Sequence, residues 1–150
     1  MITGNTIKTE YYKDGKVSNW DEYKYDSKTN ELIIMVEHYK DGSMDRSEFD
    51  PNNGKMVKCV SFRVDGSKES QVEYDPKSEE KLTSTKYWPS GSIKSHSICD
   101  QKTKLEKTIY YTEDGVIEAR REYDTKTSKT IKYVSYNADG SIKSDSNKSK

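Results

Sequence analysis

Histidine and cysteine side chains are the groups in this chain best suited to holding a transition metal. The chain contains two of each, His38, His96, Cys59 and Cys99. A zinc site needs such ligands clustered around one ion, whereas these four are dispersed along the chain. The pattern therefore predicts structural roles for both histidines, and no metal site.

Carboxylates offer a second kind of chemistry, because they serve in acid–base catalysis and bind cations. Five aspartates directly precede a glycine. Such a series of carboxylates could bind metal ions, but aspartate before glycine is also the pair that tight turns prefer. The sequence contains no P-loop, no Gly-x-Ser-x-Gly motif and no Asp-x-Asp-x-Asp loop. We therefore expect a protein that is not an enzyme and that uses no cofactor.

Aromatic side chains are the remaining candidates for a functional role, because exposed aromatics often anchor protein interfaces. Trp20 lies in a segment, residues 19–23, that departs from the pattern elsewhere in the chain, and Trp88 lies at a turn. Scattered surface aromatics are also ordinary. The candidate protein contacts are Trp20, Tyr23, Tyr39 and Trp88.

A sequence repeat must position these residues. Six glycines recur at intervals of 24 to 27 residues, each after a short polar turn, and five of the six have an aromatic residue four positions earlier. Such a period marks a repeat architecture. The glycines are Gly15, Gly42, Gly66, Gly91, Gly115 and Gly140.

A second turn in each repeat begins at an aspartate, and these are Asp26, Asp50, Asp75, Asp100 and Asp124. Between turns lie segments of about 6–9 residues rich in Tyr, Val, Ile and Thr, which favour strands over helices. Eleven strands are predicted, over residues 6–12, 17–25, 31–39, 44–49, 56–64, 68–74, 81–88, 93–99, 105–111, 117–123 and 130–136.

The composition limits how these strands can pack. Only 30% of the residues are hydrophobic and 35% are charged, which is too little apolar surface for two packed layers. We therefore expect an all-β fold: a repetitive antiparallel β-meander of hairpin repeats about 25 residues long, forming an elongated, twisted single-layer sheet or an open half-tube. The expected domain covers residues 1–143, and residues 144–150 form a disordered tail.

Charge and hydropathy exclude several classes of partner. Basic and acidic residues number 26 each, so no general positive field attracts nucleic acid. The longest apolar run, Leu32–Val36, is far too short to span a bilayer. This run is apolar on both faces, so either it is the best-packed central strand or its faces are covered by curl of the sheet or by another chain; a homodimer through it is one such arrangement. A disulfide between Cys59 and Cys99 is not expected, because they occupy non-equivalent repeat positions.

Two segments carry a resemblance to a known repeat. Residues 73–78 read Glu-Tyr-Asp-Pro-Lys-Ser, and residues 136–142 read Tyr-Asn-Ala-Asp-Gly-Ser-Ile. This pattern of turn residues resembles a tandem repeat of unassigned function found in phytoplasma proteins, and it is similar to MORN-like and YwqK-type antitoxin repeats. The chain departs from it at Gly91, which lacks the preceding Asp, and at Cys99, which replaces a Tyr. The resemblance implies a bacterium that lives inside hosts and exports proteins to them.

Three functions are compatible with these observations. The first is a non-enzymatic protein-binding module, secreted by the bacterium or delivered to the host cell after loss of a signal peptide, that binds a host protein through a sheet face or edge strands. The second is an immunity or antitoxin protein in the bacterial cytoplasm that neutralises a toxin. The third is a structural spacer or surface protein.

Overall fold

The structure, a computed structural model, describes residues 6–13 and 15–146. All regular secondary structure in this part of the chain is β-strand. The strands are β1 (Thr6–Lys13), β2 (Lys16–Tyr25), β3 (Leu32–His38), β4 (Met44–Phe49), β5 (Met56–Phe62), β6 (Lys68–Tyr74), β7 (Lys81–Tyr87), β8 (Ile93–Asp100), β9 (Leu105–Tyr111), β10 (Ile117–Asp124), β11 (Lys129–Tyr136) and β12 (Ile142–Asp145).

The chain divides into two compact units, residues 1–80 and residues 81–150. The first contains β1 to β6 and the second β7 to β12, and in each unit the strand order follows the chain. Neighbouring strands within a unit pair antiparallel. Each described strand contacts only its neighbours in this order, so each unit is a single layer that does not close on itself. The predicted all-β antiparallel meander is confirmed.

The glycine turns have the geometry that their sequence predicts. All six repeat glycines have φ between 72° and 90°, the left-handed region that costs other residues steric strain. At Gly66, for example, the backbone N–H donates to the carbonyl of Arg63 at 2.9 Å, and Asp65 Oδ1 accepts from the Ser67 N–H at 2.9 Å. Such three-residue loops join hairpin strands closely.

The aspartate turns are also closed locally. Asp75 Oδ1 accepts the backbone N–H groups of Lys77 at 2.7 Å and of Ser78 at 2.9 Å, and these bonds lower the pKa of Asp75. Each of these turns contains one residue with a left-handed backbone. These residues are Asn30, Gly54, Glu79, Lys104 and Ser128, of which only one is glycine.

The core of each unit is small, as the composition predicts. The buried apolar side chains among the described residues are Ile33 and Val60 in the first unit and Ala119 and Val134 in the second. No described large side chain is fully enclosed. Stability must therefore come largely from the strand ladders and from cross-strand pairs.

The Leu32–Val36 run forms most of β3, which pairs with β2 on one side and β4 on the other. Ile33 is 8% exposed, and the other four residues of the run are half-buried. Both backbone edges of β3 are thus occupied, so a homodimer through this run would have to use a face of the strand.

The predicted strand count of eleven is wrong by one. A short twelfth strand, β12, pairs with β11, with Ser144 opposite Ser135 and Asp145 opposite Val134. Residues 144 and 145 of the predicted disordered tail therefore belong to a strand, and residues 147–150 lie outside the described residues. The described residues include no helix with the length and apolar character needed to cross a membrane.

Candidate functional site

Four neighbouring strands of the second unit, β7 to β10, carry a polar cavity on one face. Ser84 lies opposite Ser97, Ser97 opposite Thr108, and Thr108 opposite Arg121. Because side chains alternate along a strand, residues two positions away share this face. We call the cavity the basic trough. Its volume is about 380 Å³, and its charged lining residues are Lys81, Lys86, Lys94, Arg121 and Glu106.

Short hydroxyl side chains form the floor of the basic trough. Ser95, Ser97 and Thr108 are buried, and the Ser97 and Thr108 hydroxyls are hydrogen-bonded at 2.8 Å. The Thr108 hydroxyl also donates to Glu106 Oε1 at 3.3 Å. The floor therefore offers little apolar surface and orients its polar groups towards one carboxylate.

Glu106 is the buried charge at the centre of this network, with only 6% of its surface exposed. Lys81 Nζ lies 2.5 Å from Glu106 Oε2, and Arg121 Nη2 lies 3.2 Å from Glu106 Oε1. The Cys99 thiol donates to Oε2 at 3.5 Å. Burial acts to raise the pKa of Glu106, but the hydrogen bond and charge of Lys81, with Cys99 and Arg121, outweigh it, so that this pKa is lowered.

The repeat itself does not require a charge at this position. Glu106 lies nine residues before Gly115, and the residues nine before the other described turn glycines from Gly42 onward are all aliphatic. Those residues are Ile33, Val57, Leu82 and Ile131. Burying a carboxylate costs free energy unless it is paired. Glu106 therefore departs from the aliphatic pattern of the repeat, and its ion pairs with Lys81 and Arg121 offset the cost of its burial.

Of the other two lysines of the basic trough, Lys86 is also a departure from the repeat, whereas Lys94 differs from the first unit but not from the last repeat. Lys86 lies five residues before its turn glycine, where the first unit has Glu10, Glu37 and Ser61. Lys94 lies three residues after its turn glycine, where the first unit has Ser18, Asp45 and Glu69, and the last repeat also has a lysine, Lys143. Lys94 also lies over the Trp88 ring, at 4.5 Å from its centroid. Since the same fold accepts opposite charges at these positions, folding does not explain the lysines.

The corresponding face of the first unit is acidic. Asp21 lies opposite Glu37, and Glu37 lies opposite Asp45, although like charges facing each other destabilise a sheet. Burial, with the charges of Asp21 and Asp45, raises the pKa of Glu37. The two units thus carry opposite charge at equivalent places of one repeat.

The four aromatic residues predicted as contacts do not form one patch. In the first unit, Trp20 is half-buried, stacks on His38 with ring centroids 3.4 Å apart, and is covered by Lys8 at 4.3 Å. Tyr23 and Tyr39 lie on the opposite face, where their hydroxyls donate to Asp21 and Asp45, both at 3.0 Å.

Trp88 lies in the second unit and is half-buried. Its indole N–H donates to the carbonyl of Tyr111 at 3.2 Å. Tyr39, at 38% exposed, is the most accessible of the four candidates and occupies the repeat position that corresponds to Trp88.

The histidines and cysteines have structural surroundings. His96 Nδ1 is hydrogen-bonded to the Thr85 hydroxyl at 2.9 Å, and both thiols are free. Burial raises the pKa of Cys59 and of Cys99. Within residues 6–13 and 15–146, no group of three or more His, Cys, Asp or Glu side chains is arranged to hold a metal ion.

Sequence reasoning missed the basic trough entirely. Nothing in the residue types of Lys81, Glu106 and Arg121 sets them apart in the sequence. The contacts between them join residues of different strands. One signal was nevertheless available, because aligning the repeats on their glycines shows a carboxylate at Glu106 where the neighbouring repeats have aliphatic residues.

Comparison with known families gives a clear result. A family model described as a protein of unknown function (DUF2963) matches residues 38–86 and 111–144, together more than half of the chain. The chain belongs to this family. The predicted membership of a family without an assigned function is therefore confirmed for DUF2963, whereas phytoplasma origin and similarity to MORN-like repeats stay predictions. No curated protein matches this DUF2963 chain.

Solved structures add no functional information. S. aureus TarM, as a mutant in complex with fondaparinux, alpha-GlcNAc-glycerol and UDP, is 14% identical, with 84% of this chain and 21% of TarM covered and a TM-score of 0.46. A second TarM structure is 14% identical, with 85% of this chain and 21% of TarM covered and a TM-score of 0.45. This chain thus spans about a fifth of the length of TarM. A Bacteroides fragilis protein of unknown function is 11% identical over 95% of this chain and 91% of its own, with a TM-score of 0.19.

Proposed function

We propose that this DUF2963 chain is a non-enzymatic protein-binding module that adds a partner strand to the edge of its first unit. The observation that carries this proposal is strand β1, an eight-residue strand at the end of the strand order. An exposed edge strand presents unpaired N–H and C=O groups, which can pair with an extended segment of another protein.

The side chains of β1 add apolar surface to this edge. Ile7 is 51% exposed, Tyr11 48% and Tyr12 63%. Natural proteins usually protect edges by making them short or strongly charged. β1 carries the charged residues Lys8, Glu10 and Lys13, but it is long and keeps these three apolar side chains in solvent. A partner strand would cover them.

Several shifted carboxyl groups have structural causes, which supports a non-enzymatic role. The lowered pKa values of Asp26, Asp75, Asp100 and Asp124 follow first from backbone N–H groups of their own turns. Hydrogen bonds within a turn shift a pKa without any catalytic role, so these four shifts do not point to an active site.

The finer proposal is that the module is a bacterial effector, secreted into the host cell, whose partner is a host protein. The alternative partner is a toxin of the same bacterium, with this chain as a cytoplasmic immunity protein. A spacer or surface role needs no partner. These three roles differ in what the chain captures.

The test is an affinity capture with tagged residues 1–150 from host lysate and from lysate of the source bacterium, with identification by mass spectrometry. The edge variant is Ile7→Lys with Tyr11→Lys. The matched control is Ile131→Lys with Tyr133→Lys, since these residues are similarly exposed but lie on β11, which is paired on both sides.

A host protein lost from the edge variant and kept by the control supports the effector proposal. A bacterial toxin with the same dependence supports the immunity alternative. A partner that depends instead on Trp20 and Trp88, tested as Trp20→Ala and Trp88→Ala, would move binding from the edge to a sheet face. No partner from either lysate would refute the binding proposals and leave the spacer.

A further inference from the structure

We infer that the basic trough of the second unit binds a carboxylate-rich, extended segment of a protein partner. This inference rests on the proposed protein-binding function and names the chemistry of the partner. It uses a different surface from the β1 edge, so the two can fail separately.

The charge of the basic trough is the first step. Four cationic side chains line a cavity of about 380 Å³, and a single carboxylate opposes them. Glu106 already engages Lys81 and Arg121, whereas Lys86 forms no ion pair with any described residue and is exposed. An uncompensated positive cavity attracts anionic groups and favours their encounter.

The chain itself gives one example of an anion held at this surface. The carboxylate of Glu106 is held inside the basic trough by an ammonium, a guanidinium and a hydroxyl, at 2.5, 3.2 and 3.3 Å. It replaces an aliphatic residue of the repeat, so this contact is not a requirement of the fold. Because the lining already solvates one carboxylate, aspartate and glutamate side chains of a partner fit the same chemistry.

The shape of the basic trough favours an extended segment. The cavity crosses four adjacent strands, which span on the order of 14 Å at about 4.8 Å between neighbours. Its floor consists of buried serine and threonine side chains, which are short, while Lys86 and Lys94 are exposed. A peptide lying across the strands would place neighbouring acidic side chains near Lys86 on β7 and Lys94 on β8.

The experiment measures fluorescence anisotropy of a labelled 12-residue Glu/Gly peptide, titrated with residues 1–150. The trough variant is Lys86→Glu with Lys94→Glu. The control is Lys102→Glu with Lys126→Glu, which changes the net charge equally, because Lys102 and Lys126 are exposed residues of the aspartate turns. The corresponding Gln/Gly peptide is the neutral probe.

We expect saturable binding of the Glu/Gly peptide, at least about tenfold weaker binding by the trough variant, binding within about twofold of native by the control, and no binding of the neutral probe. Equal loss in both variants would show non-specific attraction and overturn the inference, as would no binding at all. If a phosphoserine peptide of equal charge bound more tightly than the Glu/Gly peptide, the inference that the basic trough prefers carboxylates would be overturned. Salt-sensitive self-association that blocks the peptide would assign the basic trough to a second copy of this chain instead.

The β1 edge variant separates this inference from the proposed function. Ile7→Lys with Tyr11→Lys should leave peptide binding unchanged, because neither residue lines the basic trough. Partner capture that needs β1, without any peptide binding, overturns only the basic trough. Peptide binding confined to the basic trough, with a captured partner indifferent to β1, supports the trough and overturns the edge.

Discussion

Replacing Glu106 tests whether its carboxylate serves the fold. Glu106→Gln keeps the size of the side chain but loses two charge-assisted hydrogen bonds, with Lys81 and Arg121. Breaking a fully buried pair costs about 3–5 kcal/mol. The cations are not fully buried, with 39% and 31% of their side chains exposed, and water can hydrate them again. We therefore expect the free energy of unfolding to fall by about 1–2 kcal/mol.

Glu106→Leu should cost less than Glu106→Gln. Leucine restores the aliphatic type that the repeat has at Leu82, and replacing buried charges by apolar side chains of similar size is often neutral or stabilising. Thr108 loses an acceptor but keeps its bond with Ser97. We expect the leucine variant to lie within about 1 kcal/mol of the native chain.

The assay is urea unfolding followed by tryptophan fluorescence. In a Trp20→Phe background only Trp88 remains, so the signal reports the second unit. Glu122→Gln is the control, since Glu122 lies 4.0 Å from Lys107 in an exposed pair and should change stability by less than about 1 kcal/mol. A leucine variant less stable than the glutamine variant would refute the reasoning, because the carboxylate would then be needed for folding.

Two further predictions concern the turns. Gly66→Ala should destabilise the chain by about 1 kcal/mol, because φ is 80° there, and the added Cβ meets no atom within 4 Å that would increase this cost. Ser128→Gly, at φ 57°, should be neutral or stabilise the chain by up to about 1 kcal/mol. Urea unfolding curves that rank the two variants in reverse would contradict this. The lowered pKa values of Asp75 and Asp124 stabilise the chain above their unfolded pKa, about 3.8, and this stability is lost as the pH falls through the folded values. The urea midpoint should therefore fall as the pH drops from about 5 towards 3, and less so in Asp75→Asn, whereas the raised pKa of Glu37 acts in the opposite sense above that window; a midpoint that rises between pH 5 and pH 3 would oppose it.

The turns and most strands follow from the sequence because their causes are local. Gly66 sets a left-handed φ that most residues avoid, and Asp75 binds backbone N–H groups two and three residues ahead. Each turn then fixes the register of the two strands that it joins. The antiparallel meander could therefore be predicted from the spacing of glycines and aspartates alone.

Strand β12 and the surroundings of the predicted aromatic contacts needed the tertiary structure. Residues 142–145 have a single apolar side chain and no alternation, and they form a strand because β11 offers an edge to pair with. Trp20 looked available in the sequence, but pairing of β2 with β1 and β3 places it between Lys8 and His38.

The basic trough was decided by strand register. Glu106 meets Lys81, 25 residues earlier, and Arg121, 15 residues later. Sequence analysis can show that Glu106 departs from its repeat, but the identity of its partners depends on which residues face each other across neighbouring strands. A shift of one residue would send each side chain to the other face. The sequence by itself therefore determined the repeat, its turns and its strands, and the paired sheet decided which charges meet.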